Sequence, residues 1–547
     1  MSIVPPDLCP PTTLPTYRRL LSPNELSYFL PSRAYGLNDM CMRLILRAPP
    51  GPITLLRLQT VWAILRLRHP LMAARIEMAP GCYDAASFVY TPPASPRHAL
   101  NEAALAVCLF HDMSGPELMQ DALNGPRKLS AACLSRLEVT REECAPGMHE
   151  YHLGFLFVHS INDARGIYMV MHFALELLGQ SPPLSDAQLF ALLEAEWRER
   201  WSFPRNPKDV IIESTEVRII GSSPVRRRFQ EAAWKIDQNN VQRRFIGGHS
   251  FPRIKPVSAR ATNTRLIQAK FSKQQTEAMF ARCKAERVTP QSAVFGLINL
   301  AWMRLLEAHP EIPSSEALPM LVYTAISLRA QLAPGPPLSS FMSLALGYHN
   351  IMLPVFGTRS SKLFWARSRE AQRQMFAYSH SPMLLGRSVV ASDERGVRAR
   401  NWARIDDEEA GLLPRRPAPP KAKTSPPPPP KVPAVPPIAL LGVSQSGTID
   451  GIFRRERYPI FELLDVVGGT RKGPGTMLVY TRTFVERFNL LLHWDAGPFD
   501  DKLVAEEFWG YLINGLFDYA LGNPSSKGTE ERIDCCAPRT ILSRARL

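Results

Sequence analysis

One histidine and one aspartate, four residues apart, have the residue types and spacing of a proton-transfer site. The stretch His159-Ser-Ile-Asn-Asp163 follows an apolar run and precedes Ala-Arg-Gly166. An imidazole titrates near neutral pH, so neutral His159 could take a proton from a hydroxyl or an amine. The pattern therefore predicts His159 as a general base. Asp163 either pairs with a buried cation that holds the loop or is an ordinary helix N-cap.

The apolar pattern on either side places this motif at a strand-to-helix junction. Residues 151–158 have the composition of a buried strand, and residues 164–178 have that of an apolar helix. A loop this short holds both side chains rigidly and close together. Gly166 would let the chain turn closely there. The chain has 12 histidines, so one match of this spacing is also expected by chance, and position strengthens the interpretation more than the five letters do.

Strand-like and helix-like segments alternate on both sides of the motif. The first half offers a strand at 41–47, a helix at 53–69 that stops before Pro70, and extended stretches at 71–78 and 86–90. The second half offers a strand at 264–271, a helix opened by Ser272 with Gln275, and a long helix opened by Thr289 and Pro290. The alternation predicts a mixed α/β fold.

A length of 547 residues exceeds one ordinary hydrophobic core, so two lobes are expected. The predicted divisions are an N-terminal extension (1–34), an N-terminal lobe with the histidine motif (35–200), a basic crossover loop (201–262), a C-terminal lobe (263–520) and a disordered tail (521–547). Residues 386–437 are predicted to be a disordered insert in the second lobe. Twelve of the 51 prolines lie between 414 and 437, and this tract could bind a proline-reading domain.

The net charge of +15 lies mostly in the segments predicted to be loops. Residues 204–262 hold 12 basic and 5 acidic side chains, and residues 386–437 hold 10 and 6. A solvated basic loop is therefore favoured over a nucleic-acid interface. Nine scattered cysteines without a CxxC pair predict neither a metal site nor a disulfide framework. The absence of a long apolar run predicts no membrane span, and no secretory signal is visible, so a cytoplasmic setting is expected.

Further motifs bear on a family. The HxxxD pattern resembles the active-site signature of the CoA-dependent acyltransferase superfamily, which includes chloramphenicol acetyltransferase, plant BAHD enzymes, condensation domains of peptide synthetases and fungal trichothecene acetyltransferases. Three other stretches agree in order along residues 35–520. They are Leu67-Arg-His-Pro-Leu-Met-Ala-Ala-Arg75, then Ser327-Leu-Arg329 with Pro336-Pro337-Leu338 and Gly347, and finally Gly442-Val-Ser444-Gln445-Ser-Gly447.

The resemblance implies two chloramphenicol-acetyltransferase-like lobes with an active-site tunnel between them, in which acyl donor and acceptor meet at His159. It implies that His159 is the general base and that Asp163 forms a structural salt bridge with Arg329. Ser444 becomes a candidate for lining the pocket that receives the oxyanion, and Gln445 belongs to the same loop. Acyl-CoA would be a cosubstrate and no bound cofactor is implied.

Departures from the family pattern narrow the hypothesis. Ala164 follows the aspartate where many members have glycine, and Val158 stands where condensation domains usually carry a first histidine. The BAHD loop DFGWG is absent, and Gln445 replaces a common asparagine. We therefore expect a free-standing, monomeric, fungal-type enzyme that acylates a hydroxyl or amine of a small secondary metabolite. Two alternatives stay open: a condensation-type enzyme with a carrier-protein-bound donor, and a non-catalytic binding protein that acts through the tract at 414–437.

Overall fold

The computed structural model describes residues 15–202, 205–220, 224–256, 263–313, 318–332, 340–416 and 438–522. The strands are β1 (Tyr17–Leu20), β2 (Met40–Ala48), β3 (Arg75–Glu77), β4 (Ser87–Tyr90), β5 (Val107–Phe110), β6 (Ser135–Ala145), β7 (Met148–Phe157), β8 (Thr264–Lys270), β9 (Met320–Ser327), β10 (Leu346–Leu353), β11 (Leu441–Thr448), β12 (Glu462–Thr470), β13 (Met477–Phe484) and β14 (Arg487–Asp495).

The α-helices are α1 (Pro23–Tyr35), α2 (Leu55–Arg68), α3 (Pro70–Ala73), α4 (Pro96–Ala104), α5 (Gly115–Asn124), α6 (Ala164–Gly179), α7 (Asp186–Trp201), α8 (Pro207–Val210), α9 (Thr215–Ile220), α10 (Pro224–Gln242), α11 (Lys273–Ala285), α12 (Pro290–Ala308), α13 (Ser361–Ser379), α14 (Leu384–Glu409) and α15 (Trp509–Gly515). Turns of π-helix extend α15 on both sides, at Lys502–Phe508 and Leu516–Leu521.

Two large sheets form the two lobes. The N-terminal lobe contains the five-stranded sheet β12-β2-β7-β6-β5, and the C-terminal lobe contains the six-stranded sheet β10-β9-β11-β13-β14-β8. Strand β12 comes from the second half of the chain but pairs antiparallel with β2, so it crosses from one lobe into the sheet of the other. Each sheet packs on its own hydrophobic core, one around α2 and α6 and one around α12 and α15. The predicted two-lobed mixed α/β fold is confirmed.

Local sequence signals account for several helix ends. Thr54 accepts a hydrogen bond from the backbone of α2 at its first turn, and α2 ends at Arg68, shortly before Pro70. Ser272 and Gln275 form a reciprocal capping box at the start of α11. Thr289 caps α12, whose first residue is Pro290. These starts were predicted, because a cap depends on three or four consecutive residues and not on the rest of the fold.

Three segments predicted to be loose contain helices, and those predictions are wrong there. Helix α1 lies inside the predicted extension 1–34, α10 inside the predicted loop 201–262, and α14 inside the predicted insert 386–437. Packing explains the difference, because α14 packs against both α1 and α10. A Cβ atom on Gly396 of α14 would lie 3.0 Å from Pro23 of α1, so the two backbones approach closely. Residues 1–14, 417–437 and 523–547 lie outside the described residues.

The extended stretch predicted at 71–78 is also partly wrong. Residues 70–73 form the short helix α3, and only residues 75–77 are a strand. Proline at the first position of a helical turn costs no hydrogen bond, so Pro70 ends α2 and begins α3. Within the described ranges, no helix is both long and apolar enough to cross a bilayer.

Candidate functional site

His159 lies directly after the central strand of the N-terminal sheet. Strand β7 is paired on both sides, with Phe157 opposite Met40 of β2 and Ser135 of β6. A single 3₁₀ turn follows at residues 159–161, and Asp163 is then the N-cap of α6. A fully paired strand and a capped helix therefore fix both ends of the loop, and the predicted strand-to-helix junction is present.

A hydrogen bond to the backbone sets the tautomer of His159. Its Nδ1 lies 3.0 Å from the carbonyl oxygen of Asn162. A carbonyl oxygen only accepts hydrogen bonds, so Nδ1 carries the proton and donates. In the neutral ring, Nε2 then keeps its lone pair, and the residue is partly exposed. The arrangement leaves one nitrogen able to accept a proton from an incoming group.

The surroundings of the ring keep it neutral. Burial lowers the pKa of His159 to about 4, because the charged imidazolium loses hydration. The positive charge of Arg395 acts in the same direction, whereas the carboxylate of Asp163 favours the charged form and opposes it. A ring with this pKa is deprotonated at neutral pH, as a general base must be.

Asp163 has no free oxygen for a substrate. Its Oδ1 accepts from the backbone of Gly166 at 3.2 Å and from Nε of Arg329 at 3.2 Å. Its Oδ2 accepts from a terminal nitrogen of Arg329 at 2.9 Å and from the backbone of Ala345 at 3.1 Å. The residue is 2% exposed. Both functions considered for Asp163, helix cap and partner of a buried cation, are therefore present together, and the pair joins the two lobes.

Arg329 also reaches beyond the carboxylate. It donates to the carbonyl oxygens of Phe341 at 2.8 Å and Ser343 at 2.6 Å, and to the side-chain oxygen of Asn162 at 3.4 Å. These contacts tie the start of α6 to the connection between β9 and β10. Because Asn162 also supplies the carbonyl that orients His159, the arginine supports the histidine through one intermediate residue.

Gly166 is required by the side chain that precedes it. A Cβ atom there would lie 1.9 Å from Oδ1 of Asn162, which no real side chain tolerates. Asn162 is fully buried, so it has no room to move away. The glycine thus lets Asn162 fold back over the first turn of α6, where it meets Arg329.

A second group of side chains faces the histidine from the other wall of the cleft. We call Tyr28, Tyr323, Tyr348 and Arg395 the tyrosine–arginine cluster. The ring of Tyr28 stacks on that of His159 with centroids 4.0 Å apart, and its hydroxyl lies 2.7 Å from that of Tyr348. Tyr348 stacks on Tyr323, with centroids 5.5 Å apart. The guanidinium of Arg395 lies 5.2 Å from the ring centre of Tyr28 and 4.2 Å from that of Tyr348.

The sequence did not indicate this cluster. Its members lie on α1, β9, β10 and α14, and two of these elements were predicted to be an extension and a disordered insert. No local spacing relates the four residues, so only the tertiary structure brings them together. The backbone carbonyl of Asn162 was missed for another reason, since every residue has a carbonyl and its direction depends on the turn.

The loop proposed to line the pocket is divided between two directions. Ser444 pairs with Tyr480 in the sheet and shares its face, which is directed towards the N-terminal lobe. The amide of Gln445 instead donates to the carbonyl of Gln291, at the start of α12, at 2.8 Å. Pro336-Pro337-Leu338 lies outside the described residues. The pocket role of Ser444 and Gln445 stays a prediction.

Comparison with known proteins supports the fold. No family model matches the sequence, and no curated protein matches it. Among solved structures, the trichothecene 15-O-acetyltransferase TRI3 from Fusarium sporotrichioides is similar, with a TM-score of 0.64 at 12% identity over 95% of this chain and 100% of that one.

Two further similar structures come from bacteria. Polyketide synthase associated protein 5 from Mycobacterium tuberculosis has a TM-score of 0.52 at 15% identity over 92% of this chain and 100% of that one. The EpoB cyclization-docking bidomain from Sorangium cellulosum has a TM-score of 0.54 at 9% identity over 93% and 86%. The architecture is therefore the two-lobed fold of the acyltransferase and condensation-domain superfamily, as the motifs predicted.

Proposed function

We propose that the protein is an acyltransferase that moves an acyl group from acyl-CoA to a hydroxyl or amine of a small molecule, with His159 as the general base. The observation that carries the proposal is the hydrogen bond from Nδ1 of His159 to the Asn162 carbonyl. It leaves Nε2 unprotonated in a partly exposed ring where the two lobes meet. The fold, shared with an acetyltransferase, supports the same conclusion.

The proposed reaction balances with one proton carrier. Nε2 of His159 accepts the proton of the acceptor hydroxyl or amine as its oxygen or nitrogen attacks the thioester carbonyl carbon. The tetrahedral intermediate bears a negative oxygen, for which Ser444 is a candidate hydrogen-bond donor. Collapse of the intermediate breaks the carbon–sulfur bond, and the thiolate of CoA takes the proton from Nε2. The products are an ester or amide and free CoA, and the histidine is regenerated.

Asp163 has a supporting part in this scheme. Its oxygens are occupied by Arg329 and by two backbone amides, so it neither receives nor delivers the proton. It holds the first turn of α6 against the C-terminal lobe and thereby fixes the carbonyl of Asn162. The base is thus positioned by the backbone, which is a different arrangement from a carboxylate that hydrogen-bonds the histidine itself.

The test is release of thiol from acetyl-CoA in the presence of a panel of small alcohols and amines. Replacement of His159 by alanine should lower the rate by about 10²- to 10⁴-fold, the usual contribution of a general base. Circular dichroism should show that the variant stays folded. The matched control is His111→Ala, which removes an exposed histidine of the same lobe and should leave the rate unchanged.

Two outcomes would contradict the proposal. One is an unchanged rate in His159→Ala, and the other is a wild-type protein that releases no thiol from acetyl-CoA with any acceptor. In the second case the same assay with an acyl group on a phosphopantetheine carrier protein tests the condensation-type alternative. Activity with that donor alone would favour the alternative, and no activity with either donor would favour a non-catalytic binding protein.

A further inference from the structure

Arg395 is a cation beside the candidate active site that lacks an acidic partner. Its Nε donates to the hydroxyl of Ser27 at 3.3 Å, and the guanidinium also hydrogen-bonds to Tyr323. In the part of the chain that the structure describes, no carboxylate forms an ion pair with Arg395, although arginine–carboxylate pairs are frequent elsewhere in the molecule. Neutral hydroxyls and aromatic rings are its partners.

Such a partial environment is suited to receive an anion. Aromatic faces attract a guanidinium, but they do not neutralise it, and a charge removed from water favours a counterion. Arginine also presents paired N–H groups that match the two oxygens of a carboxylate. The tyrosine–arginine cluster therefore holds the cation in place and leaves its opposite charge to be supplied from outside.

The guanidinium lines an open space. A cavity of about 180 Å³ has walls from α10, β9, β10, α13 and α14, and its lining includes Arg395, Tyr323 and Tyr348. Two further charged side chains, Glu394 and Arg398, line the same cavity. Tyr28 connects this cavity to the reaction centre, because it touches Arg395 on its ring, Tyr348 through its hydroxyl, and His159 by stacking.

We propose that Arg395 binds a carboxylate of the substrate in this cavity and thereby selects acidic substrates. The inference rests on the proposed acyl transfer for its meaning, but it concerns binding and not catalysis. The carboxylate belongs either to the acceptor or to the far end of the acyl group. Both sources present the same chemistry to the arginine, so the experiment needs one arm for each.

The experiment measures dissociation constants in two matched pairs. The donor arm compares malonyl-CoA with butyryl-CoA, which has a similar length but no carboxylate. The acceptor arm compares 3-phenylpropionate with 3-phenylpropionamide, each titrated in the presence of saturating CoA. In one arm the wild-type protein should bind the acid about 10- to 100-fold more tightly, the range expected for a charge-assisted hydrogen bond.

The variants assign that preference to one side chain. Arg395→Gln should reduce the ratio of the two constants to nearly one and leave the neutral compound unaffected, whereas Arg395→Lys should retain part of the preference. Arg398→Gln is the control, since that arginine lines the same cavity but is exposed. His159→Ala should keep the preference, so failure of catalysis and failure of this proposal are distinguishable.

Several results would overturn the proposal. A wild-type protein without preference for the acid in either arm would do so, whether or not the variants fold. Survival of the preference in Arg395→Gln would do so as well. An equal loss in Arg398→Gln and Arg395→Gln would indicate a diffuse positive field in place of one binding residue.

Discussion

The two walls of the cleft are built in different ways. On one side, His159, Asn162, Asp163 and Gly166 lie within eight consecutive residues, and the bonds that orient the histidine and cap α6 run inside that stretch. On the other side, the tyrosine–arginine cluster collects single residues from α1, β9, β10 and α14. The first wall is a local structure that the second lobe clamps, whereas the second wall exists only in the folded chain.

The contrast indicates a division of tasks. A proton-transfer group needs a fixed tautomer and direction, and a short loop between a paired strand and a capped helix supplies both. Selection of a substrate needs a shaped and charged space, which single residues from distant elements can change without moving the base. The Asp163–Arg329 pair is the exception that joins the two walls.

The largest effect should come from breaking that junction. Asp163→Asn leaves Arg329 without its buried counter-charge and should lower the free energy of unfolding by about 3 to 5 kcal/mol, measured by urea titration. The local wall would then be shown to depend on the clamp for stability. A decrease well below that range would mean that the loop holds its own shape.

The control is an ion pair of equal length in a more exposed place. Asp186 lies 2.9 Å from Arg57, the same distance that separates Asp163 from Arg329, but its side chain is 59% exposed against 3% for Asp163. Asp186→Asn should therefore change stability far less, because solvent screens the pair. Equal losses in both variants would show that burial is not the cause.

The pH profile tests whether the second wall acts on the first. Only neutral His159 accepts a proton, and its folded pKa of about 4 lies below the usual value near 6.5. As the pH falls, kcat/KM for thiol release should stay level until about pH 4, and at pH 5 it should exceed that of an unshifted histidine about 30-fold.

Arg395→Gln sharpens this measurement. Removal of the positive charge should move the acid limb of the profile towards higher pH, because one cause of the lowered pKa is then absent. Burial of the ring remains, so the limb should not return to the usual value. An acid limb near pH 6.5 in the wild-type protein would show that the ring is better hydrated than the structure indicates.

The smallest effect should come from the contact between the walls at Tyr28. Tyr28→Leu removes the ring stacked on His159 and should lower kcat/KM about 2- to 10-fold, since an aromatic pair contributes roughly 0.5 to 1.5 kcal/mol. Tyr28→Phe keeps the ring and should retain most of the rate. A large loss in Tyr28→Phe would instead assign the effect to the hydroxyl and its partner Tyr348.

The predictions from sequence succeeded where short-range signals decide the structure. The β7–α6 junction, the capping box at Ser272 and the cap at Thr289 each depend on a few neighbouring residues. The errors fall on α1, α10 and α14, whose polar residues and glycines resemble loop composition. In α14, Gly386 sits where a Cβ would lie 2.1 Å from the ring of Trp234, so this glycine serves contact between helices and does not end one.

The amino-acid sequence alone determined the position of the histidine at the end of a buried strand, the cap at Asp163 and, through family motifs, the partner Arg329. Those features follow from apolar periodicity and from spacing over a few residues. Only the tertiary structure decided which nitrogen of His159 is free, what stacks on its ring and where an unpaired cation lies. The physical reason is that these properties depend on contacts between residues hundreds of positions apart, which no local pattern records.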